Sequence, residues 1–418
     1  MRTTAVRAWV AAAAVAVAVV AGSGGVSQAA APREGVIRGD DSPAAVPGRY
    51  IVALKDAPAG IASASVRGRA DGLAGRFGGT VNHVYDQVLR GFSVSMSAAQ
   101  ARRLAADPAV DHVEQVQEMG AADVQDDPPN WGIDRIDQPA LPLDGSYSYP
   151  DNAGEGVTVY VIDSGINAGH SEFAGRVRPG VDFVDDDDDP ADCQGHGTHV
   201  AGIAVGATAG VAKKANVVSV RVLDCQGSGQ DDAILAGLDW VKANAVKPAV
   251  VNYSIGCRKR CSLSSFDKAA KAVIDSGLQF VMAAGNNDDD ACYFSPQKVA
   301  AGITVGNSTK ADKRYSSTPG PSNYGSCLDL WAPGTAINSA DNANTTGFRL
   351  DTGTSMAAPH VTGVSALYLA GHTDATPKQV RDAIVGNGVT GKLGGIKTGS
   401  PNVLLQTGFL SSGVAAGR

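Results

Sequence analysis

Val157-Thr158-Val159-Tyr160-Val161-Ile162-Asp163-Ser164-Gly165 is an apolar, β-branched run that breaks off at a carboxylate and a glycine. It reads as a strand buried on both faces. Similar runs follow at 216–223, 249–254 and 279–284, and helical patterns fill the intervals at 197–207, 231–245 and 264–277. Strands alternating with helices imply a mostly parallel sheet covered by helices, an α/β fold. In such sheets ligands meet the carboxyl ends of the strands. Three polar residues fall there: Asp163 after the first strand, Ser254 ending the third, and Asn286 after the fourth.

Upstream the pattern changes. Residues 48–55 read as a strand, 61–77 as a helix, and 80–85 with 88–95 as a strand pair. Ser97-Ala98-Ala99-Gln100 is a capping box opening a short helix to Ala106, and 111–116 close as a strand. The order β-α-β-β-α-β is the split βαβ pattern of a small α+β unit. Residues 32–47 read as a linker and 118–130 as boundary composition, small, acidic and proline-containing. The chain opens on Arg2 and Arg7, then a 14-residue apolar run, Ala8 to Ala21, then Ser27-Gln28-Ala29. That is the layout of a secretory signal peptide, too short to span a bilayer. No later run approaches 18 apolar residues, so the expectation is a soluble, exported protein with no membrane partner.

The 418 residues suggest two or three domains, and 44% hydrophobic residues supply a core. A net charge of -7 lacks the basic face that nucleic-acid binding needs. Export changes the reading of the six cysteines, Cys193, Cys225, Cys257, Cys261, Cys292 and Cys327. An even number favours disulfides, and six allow 15 connectivities.

Two further motifs carry chemistry. His196 and His199 stand in Asp192-Cys193-Gln194-Gly195-His196-Gly197-Thr198-His199, with glycines flanking His196. A zinc reading through Cys193, His196, His199 and Cys225 competes with disulfide pairing. His199, one turn on, reads as a packed structural histidine. Ser355 stands in Asp351-Thr352-Gly353-Thr354-Ser355-Met356-Ala357-Ala358-Pro359-His360, ahead of an apolar stretch to Ala370. Proline is tolerated in a helix's first turn, so a helix is expected to start near Ser355. Ser355 alone reads as an N-cap. With Asp163 and His196 it makes an Asp–His–Ser order: serine needs a base, histidine supplies it, and aspartate fixes the tautomer. An acyl-transfer transition state also needs oxyanion donors, which Asn286 and the Ser355 N–H supply. Competing classes are a catalytically silent binding module on this fold and a metal-dependent hydrolase.

On Val161 to Gly165, Gly195 to Gly202, Ala284-Gly285-Asn286 and Gly353 to His360, the chain resembles the subtilisin-like serine proteases. The branch is proteinase K-like, closest to its aqualysin-like members. The resemblance implies a subtilisin-like three-layer fold preceded by a ferredoxin-like, inhibitor-type propeptide. It implies Asp163 as orienting carboxylate, His196 as base, Ser355 as nucleophile and Asn286 as oxyanion donor, with no catalytic role for His360. It implies the disulfides Cys193–Cys225 and Cys292–Cys327; the remaining Cys257 and Cys261 would close a small loop, a departure from the family pattern. It implies structural calcium at Asp134, Asp137 and Gln138, and at Ala300, Gly302 and Asp329. A third family site has Lys392 where an aspartate is needed. The acidic run Asp185 to Asp189 reads as a solvated loop.

The primary pocket would be walled by Ser254-Ile255-Gly256 and Ala283-Ala284-Gly285, uncharged and open to large apolar or aromatic side chains before the cut. The basic run Arg258-Lys259-Arg260 reads as a solvated loop, with an attraction for acidic residues as the competing reading. The expected organisation is a signal peptide at 1–29, a propeptide at 30–123 that inhibits and chaperones its own enzyme, and a peptidase at 124–418. The expected product is a monomeric, secreted serine endopeptidase acting on proteins and peptides.

Overall fold

The computed structural model describes residues 34–40, 45–55, 65–87, 89–117 and 123–411. The expected signal peptide lies outside these residues. Contacts divide the chain into two compact units, one built mainly from residues 48–115 and the other mainly from residues 116–418.

In the first unit a five-stranded sheet runs in the order Ile37–Arg38, Val110–Gln117, Ala45–Leu54, Gly91–Ser95, Thr80–Tyr85. Helices Val66–Phe77 and Ala98–Ala105 pack on it through Ala70, Leu73, Ala74, Ala101 and Leu104. Ser97 and Gln100 cap each other as their spacing dictates. The reading of 32–47 as a linker is corrected at both ends. Ile37 and Arg38 pair in parallel with Val113 and Glu114, and strand structure resumes at Ala45. Two residues are too short for a periodicity, and only the partner strand makes them β.

In the second unit nine strands form one sheet. Their order is Val389–Thr390, Val403–Leu404, Leu330–Pro333, Ile303–Ser308, Gln279–Ala283, Ala249–Tyr253, Thr158–Asp163, Asn216–Arg221, Val177–Asp182. Every pairing is parallel except that of Val389–Thr390 with Val403–Leu404. Strand alternation sends Val159 and Val161 into the core on one face and Tyr160 and Ile162 into the core on the other. The first face is covered by His196–Val205 and Thr354–Gly371, the second by Asp231–Asn244 and Ser264–Asp275. Thr354–Gly371 is buried nearly all round, which explains its lack of a polar stripe.

Thr158–Asp163 is where strand order reverses: the next two strands in the chain, Val177–Asp182 and Asn216–Arg221, lie on one side of it, and Ala249–Tyr253 lies on the other. The crevice at such a switch point is where α/β sheets hold ligands. Register pairs Ile162 with Tyr253, so the next residues, Asp163 and Ser254, end adjacent strands about 4.8 Å apart. No helix among the described residues is long and apolar enough to cross a membrane.

Candidate active site

Asp163 is fully buried. Its Oδ1 accepts from Ser164 N at 2.8 Å and faces His196 Nδ1 at 2.7 Å. With Nδ1–H donated to the carboxylate, Nε2 is left as the free basic nitrogen. Burial lowers the His196 pKa, but the charge and hydrogen bond of Asp163 outweigh it, and the net shift is upward. Gly195 precedes it at φ 100, the left-handed region, where a Cβ would be strained.

Asp192 organises the same turn. Its Oδ1 accepts from Ser164 Oγ, Gln194 N and Gly195 N at 2.7–3.0 Å, and its Oδ2 from Thr198 N and Oγ1 at 2.9 and 2.6 Å. Sequence reasoning passed over it, although a carboxylate four residues before a glycine-flanked histidine was a visible signal.

Ser355 sits in the first turn of Thr354–Gly371, where N–H groups have no carbonyl four residues back. The expectation that Pro359 lies in that first turn is corrected: helix begins at Thr354, and Pro359 is inside it. The N–H that Pro359 lacks would have bonded the Ser355 carbonyl. That carbonyl instead accepts from Ser254 Oγ at 3.1 Å, and Ser355 Oγ donates to Ser254 O at 3.2 Å. Ser254 Oγ accepts from Asn252 Nδ2 at 2.9 Å, and Asn252 Oδ1 from Thr362 Oγ1 at 2.8 Å. Asn252 and Thr362 were not singled out from sequence; the asparagine interrupting the apolar run 249–253 was the available sign.

Asn286 is aimed by Thr354. Its Oδ1 accepts from Thr354 N at 2.9 Å and Thr354 Oγ1 at 3.1 Å, so its Nδ2 is the end left for a ligand. Thr354 Oγ1 in turn accepts from Gly285 N at 3.0 Å. A Cβ on Gly353 would lie 3.4 Å from Asn286 Nδ2, in ordinary contact with it.

A cleft of about 290 Å³ joins Asn286 and Ser355 to the expected pocket walls Ser254, Ile255, Gly256, Ala283 and Gly285. Ala284 does not line it: the residue is fully buried against Leu328 and Trp331, because successive side chains at the strand end point to opposite faces. Buried Gln297 ties the two walls together, donating from Nε2 to Ile255 O at 2.9 Å and Ala283 O at 3.1 Å. Arg258, unexpectedly, also lines the cleft.

His199 and His360 are buried and lie outside this chemistry. His199 Nε2 meets Ile337 O and Arg349 O at 3.1 Å, and His360 Nδ1 meets Met356 O at 2.8 Å. Burial pushes both imidazoles down to about 4, so both are neutral. The six cysteines form Cys193–Cys225, Cys257–Cys261 and Cys292–Cys327. The zinc reading is thereby overturned, since disulfide sulfur is no thiolate ligand. Among the described residues no group of three or more His, Cys, Asp or Glu is placed to hold a metal.

The first expected calcium set fits a hard cation. Asp134 Oδ2 accepts from Gly145 N at 3.2 Å and Asp137 Oδ2 from Ser148 N at 2.6 Å, while Oδ1 of each is buried without a partner. Burial raises the Asp134 pKa and pushes Asp137 up to about 7. Gln138 Oε1 accepts from Asp144 N at 3.1 Å, keeping a lone pair. The second set does not fit. Asp329 Oδ2 takes Thr304 N at 2.7 Å and its Oδ1 the Arg381 guanidinium, which already supplies the positive charge. In the acidic run, Asp185 pairs with Arg221, which also holds Asp182, and the rest is largely exposed.

A helix-borne serine, an Asp–His pair and a strand-end amide around one parallel sheet define the class of α/β serine hydrolases. Within that class the chain belongs to the subtilase family, whose model matches residues 154–405; a peptidase inhibitor I9 model matches 49–121. The "Extracellular serine proteinase" of Thermus sp. (strain Rt41A) is 47% identical over 332 residues, covering 79% of each chain. The "Alkaline serine exoprotease A" of Vibrio alginolyticus is 46% identical over 342 residues, 81% of this chain. The chain spans only 62% of that relative's length. The crystal structure of a cold adapted subtilisin-like serine proteinase matches with a TM-score of 0.63 and 46% identity, covering 66% of this chain and 97% of that one.

Proposed function

We propose that the chain is the zymogen of a secreted, monomeric serine endopeptidase that hydrolyses peptide bonds in proteins and peptides, preferring large apolar or aromatic residues before the cut. One observation carries the reading: Asp163, bonded to His196, and Ser254, bonded to Ser355, end neighbouring strands in register. For the reaction, Ser355 Oγ has to exchange its resting acceptor, Ser254 O, for His196 Nε2.

In the reaction, His196 Nε2 takes the proton from Ser355 Oγ as Oγ bonds to the scissile carbonyl carbon. Negative charge collects on the carbonyl oxygen, within reach of Asn286 Nδ2 and Ser355 N. Asp163 holds the imidazolium. His196 then gives the proton to the leaving amine, the C–N bond breaks, and an acyl-enzyme remains. Water enters, loses a proton to His196 as its oxygen bonds to the acyl carbon, and the C–Oγ bond breaks as His196 returns that proton to Ser355 Oγ, releasing the acid.

Apolar side chains fit a pocket with no charge on Ser254–Gly256, Ala283 or Gly285, while a charged one would lose hydration there. Calcium, where bound, would take oxygens from Asp134, Asp137 and Gln138 and neutralise two buried carboxylates; it has no part in the chemistry. We assign the signal peptide to about 1–29, the self-inhibiting propeptide to 30–123 and the peptidase to 124–418, with self-cleavage near Val124.

The test is fluorophosphonate labelling of the purified protein, with the Ser355→Ala chain alongside. Wild type should label at Ser355 and begin near residue 124, and Ser355→Ala should remain an unlabelled precursor. A Ser355→Ala chain that labels, or matures alone, overturns the reading. Peptide cleavage that a chelator abolishes at once, in a folded protein that the fluorophosphonate does not label, favours the metal-hydrolase alternative.

A further inference from the structure

Resting on that reading of the cleft, the geometry points to Arg258 as a specificity-determining residue that selects acidic side chains two to four residues before the scissile bond.

The loop 257–261 carries three cations that differ in their surroundings. Arg260 is paired through Nε and Nη2 with Asp289, at 2.6 and 2.7 Å, and lies 4.0 Å above the Tyr293 ring. Lys259 is exposed and does not line the cleft. Arg258 lines the same cleft as Ser355 and Asn286. No carboxylate among the described residues lies within 4 Å of it. Among the described residues its one side-chain bond, 3.0 Å from Nη2 to Ser228 Oγ, leaves the guanidinium charge uncompensated.

The residue is also built into place. Cys257–Cys261 closes the loop, Asn287 Nδ2 donates to Arg258 O at 3.0 Å, and Cys261 N donates to Tyr293 O at 3.1 Å. The backbone is thus tied on both sides of the side chain, so less freedom is lost when a ligand pairs with it. A guanidinium is suited to take a carboxylate through two parallel N–H bonds.

Position follows from spacing. The pocket beside Ser355 is walled by 254–256, and Ser228, which anchors the guanidinium, does not line it. Arg258 and Ser228 are both exposed, so the charge stands at the mouth of the cleft. An extended peptide leaving the pocket along 254–258 advances about 3.3 Å per residue, so it passes Arg258 within its next one to three residues, the second to fourth before the bond. The side chain in the pocket stays apolar, and the acidic preference belongs to its upstream neighbours.

The experiment is a set of internally quenched peptides with Phe before the cut and Glu, Ala or Lys at each of the three upstream positions, read as kcat/KM. For at least one position Glu should exceed Ala by about two- to fivefold, the range of an exposed ion pair, with Lys below Ala. The Glu/Lys ratio should fall towards one in high salt, as solvent-facing charges are screened. In Arg258→Ala the ratio should be near one, in Arg258→Glu it should invert, and in Lys259→Ala it should persist. A wild type that cleaves the Lys and Glu peptides equally, or an Arg258→Ala enzyme that keeps the ratio, overturns the proposal while leaving the peptidase reading intact. No cleavage of any peptide together with no fluorophosphonate labelling overturns both.

Discussion

Ser254 and Ser355 hold each other reciprocally: the hydroxyl of Ser254 donates to the carbonyl of Ser355 at 3.1 Å, and the hydroxyl of Ser355 donates to the carbonyl of Ser254 at 3.2 Å. The first bond exists because Pro359 has no N–H to claim that carbonyl. Ser254→Ala would leave Ser355 O and Asn252 Nδ2 without their partner in a buried site. The expected cost is about 1–3 kcal/mol of stability, read from denaturant unfolding, together with slower fluorophosphonate labelling. Unchanged stability would mean that both groups find other partners.

The Asn286 amide is useful only if its nitrogen end faces the substrate, and Thr354 enforces this. Asn286→Ala should lower kcat by roughly 10²–10³ with little change in KM, the size of one lost oxyanion donor. Thr354→Val, which keeps the shape but removes the hydroxyl bonds to Asn286 and Gly285, should give a smaller loss confined to kcat. A Thr354→Val effect confined to KM would separate Thr354 from the aiming of Asn286.

His196 must be neutral to act as base, and Asp163 raises its pKa against the opposing effect of burial. Activity should therefore climb with pH on a limb displaced to the alkaline side of the ordinary imidazole value of about 6.5. Asp163→Asn removes the raising charge, so the residual limb should move to lower pH while kcat falls by about 10⁴. The measurement is kcat/KM against pH for both enzymes. A limb that stays put in Asp163→Asn would exclude His196 as the titrating group.

Calcium should act on stability alone. Cation binding to the folded state adds stability by mass action, about 2.7 kcal/mol at a hundredfold excess over Kd. Chelation should lower Tm with little immediate loss of activity at 25 °C. In Asp137→Asn the calcium-dependent part of Tm should shrink strongly, whereas in Arg381→Gln, beside Asp329, it should remain. A calcium response surviving in Asp137→Asn would move the site elsewhere.

Much of this protein was determined by local sequence. Apolar β-branched runs spaced by helical patterns point to a mostly parallel α/β sheet, since strands apolar on both faces need cover on both and the intervening helices supply it. Of the polar residues closing those runs, Asp163 ends its strand and Ser254 directly follows Tyr253, while Asn286 lies three residues beyond Ala283. The capping box at Ser97 needed only neighbours three residues away.

What tertiary structure alone decided is long-range. Ile37–Arg38 became a strand only against 113–114, and Ala284 turned away from the cleft into the core. Arg381 took the carboxylate of Asp329, and Asp289 neutralised Arg260 while leaving Arg258 open to the cleft. Which residues aim the site, Thr354, Asp192, Asn252 and Gln297, depends on hydrogen bonds that join segments far apart in the chain. Their energies depend on burial and on the choice among competing partners, and neither is encoded in the spacing of residues along one strand or helix.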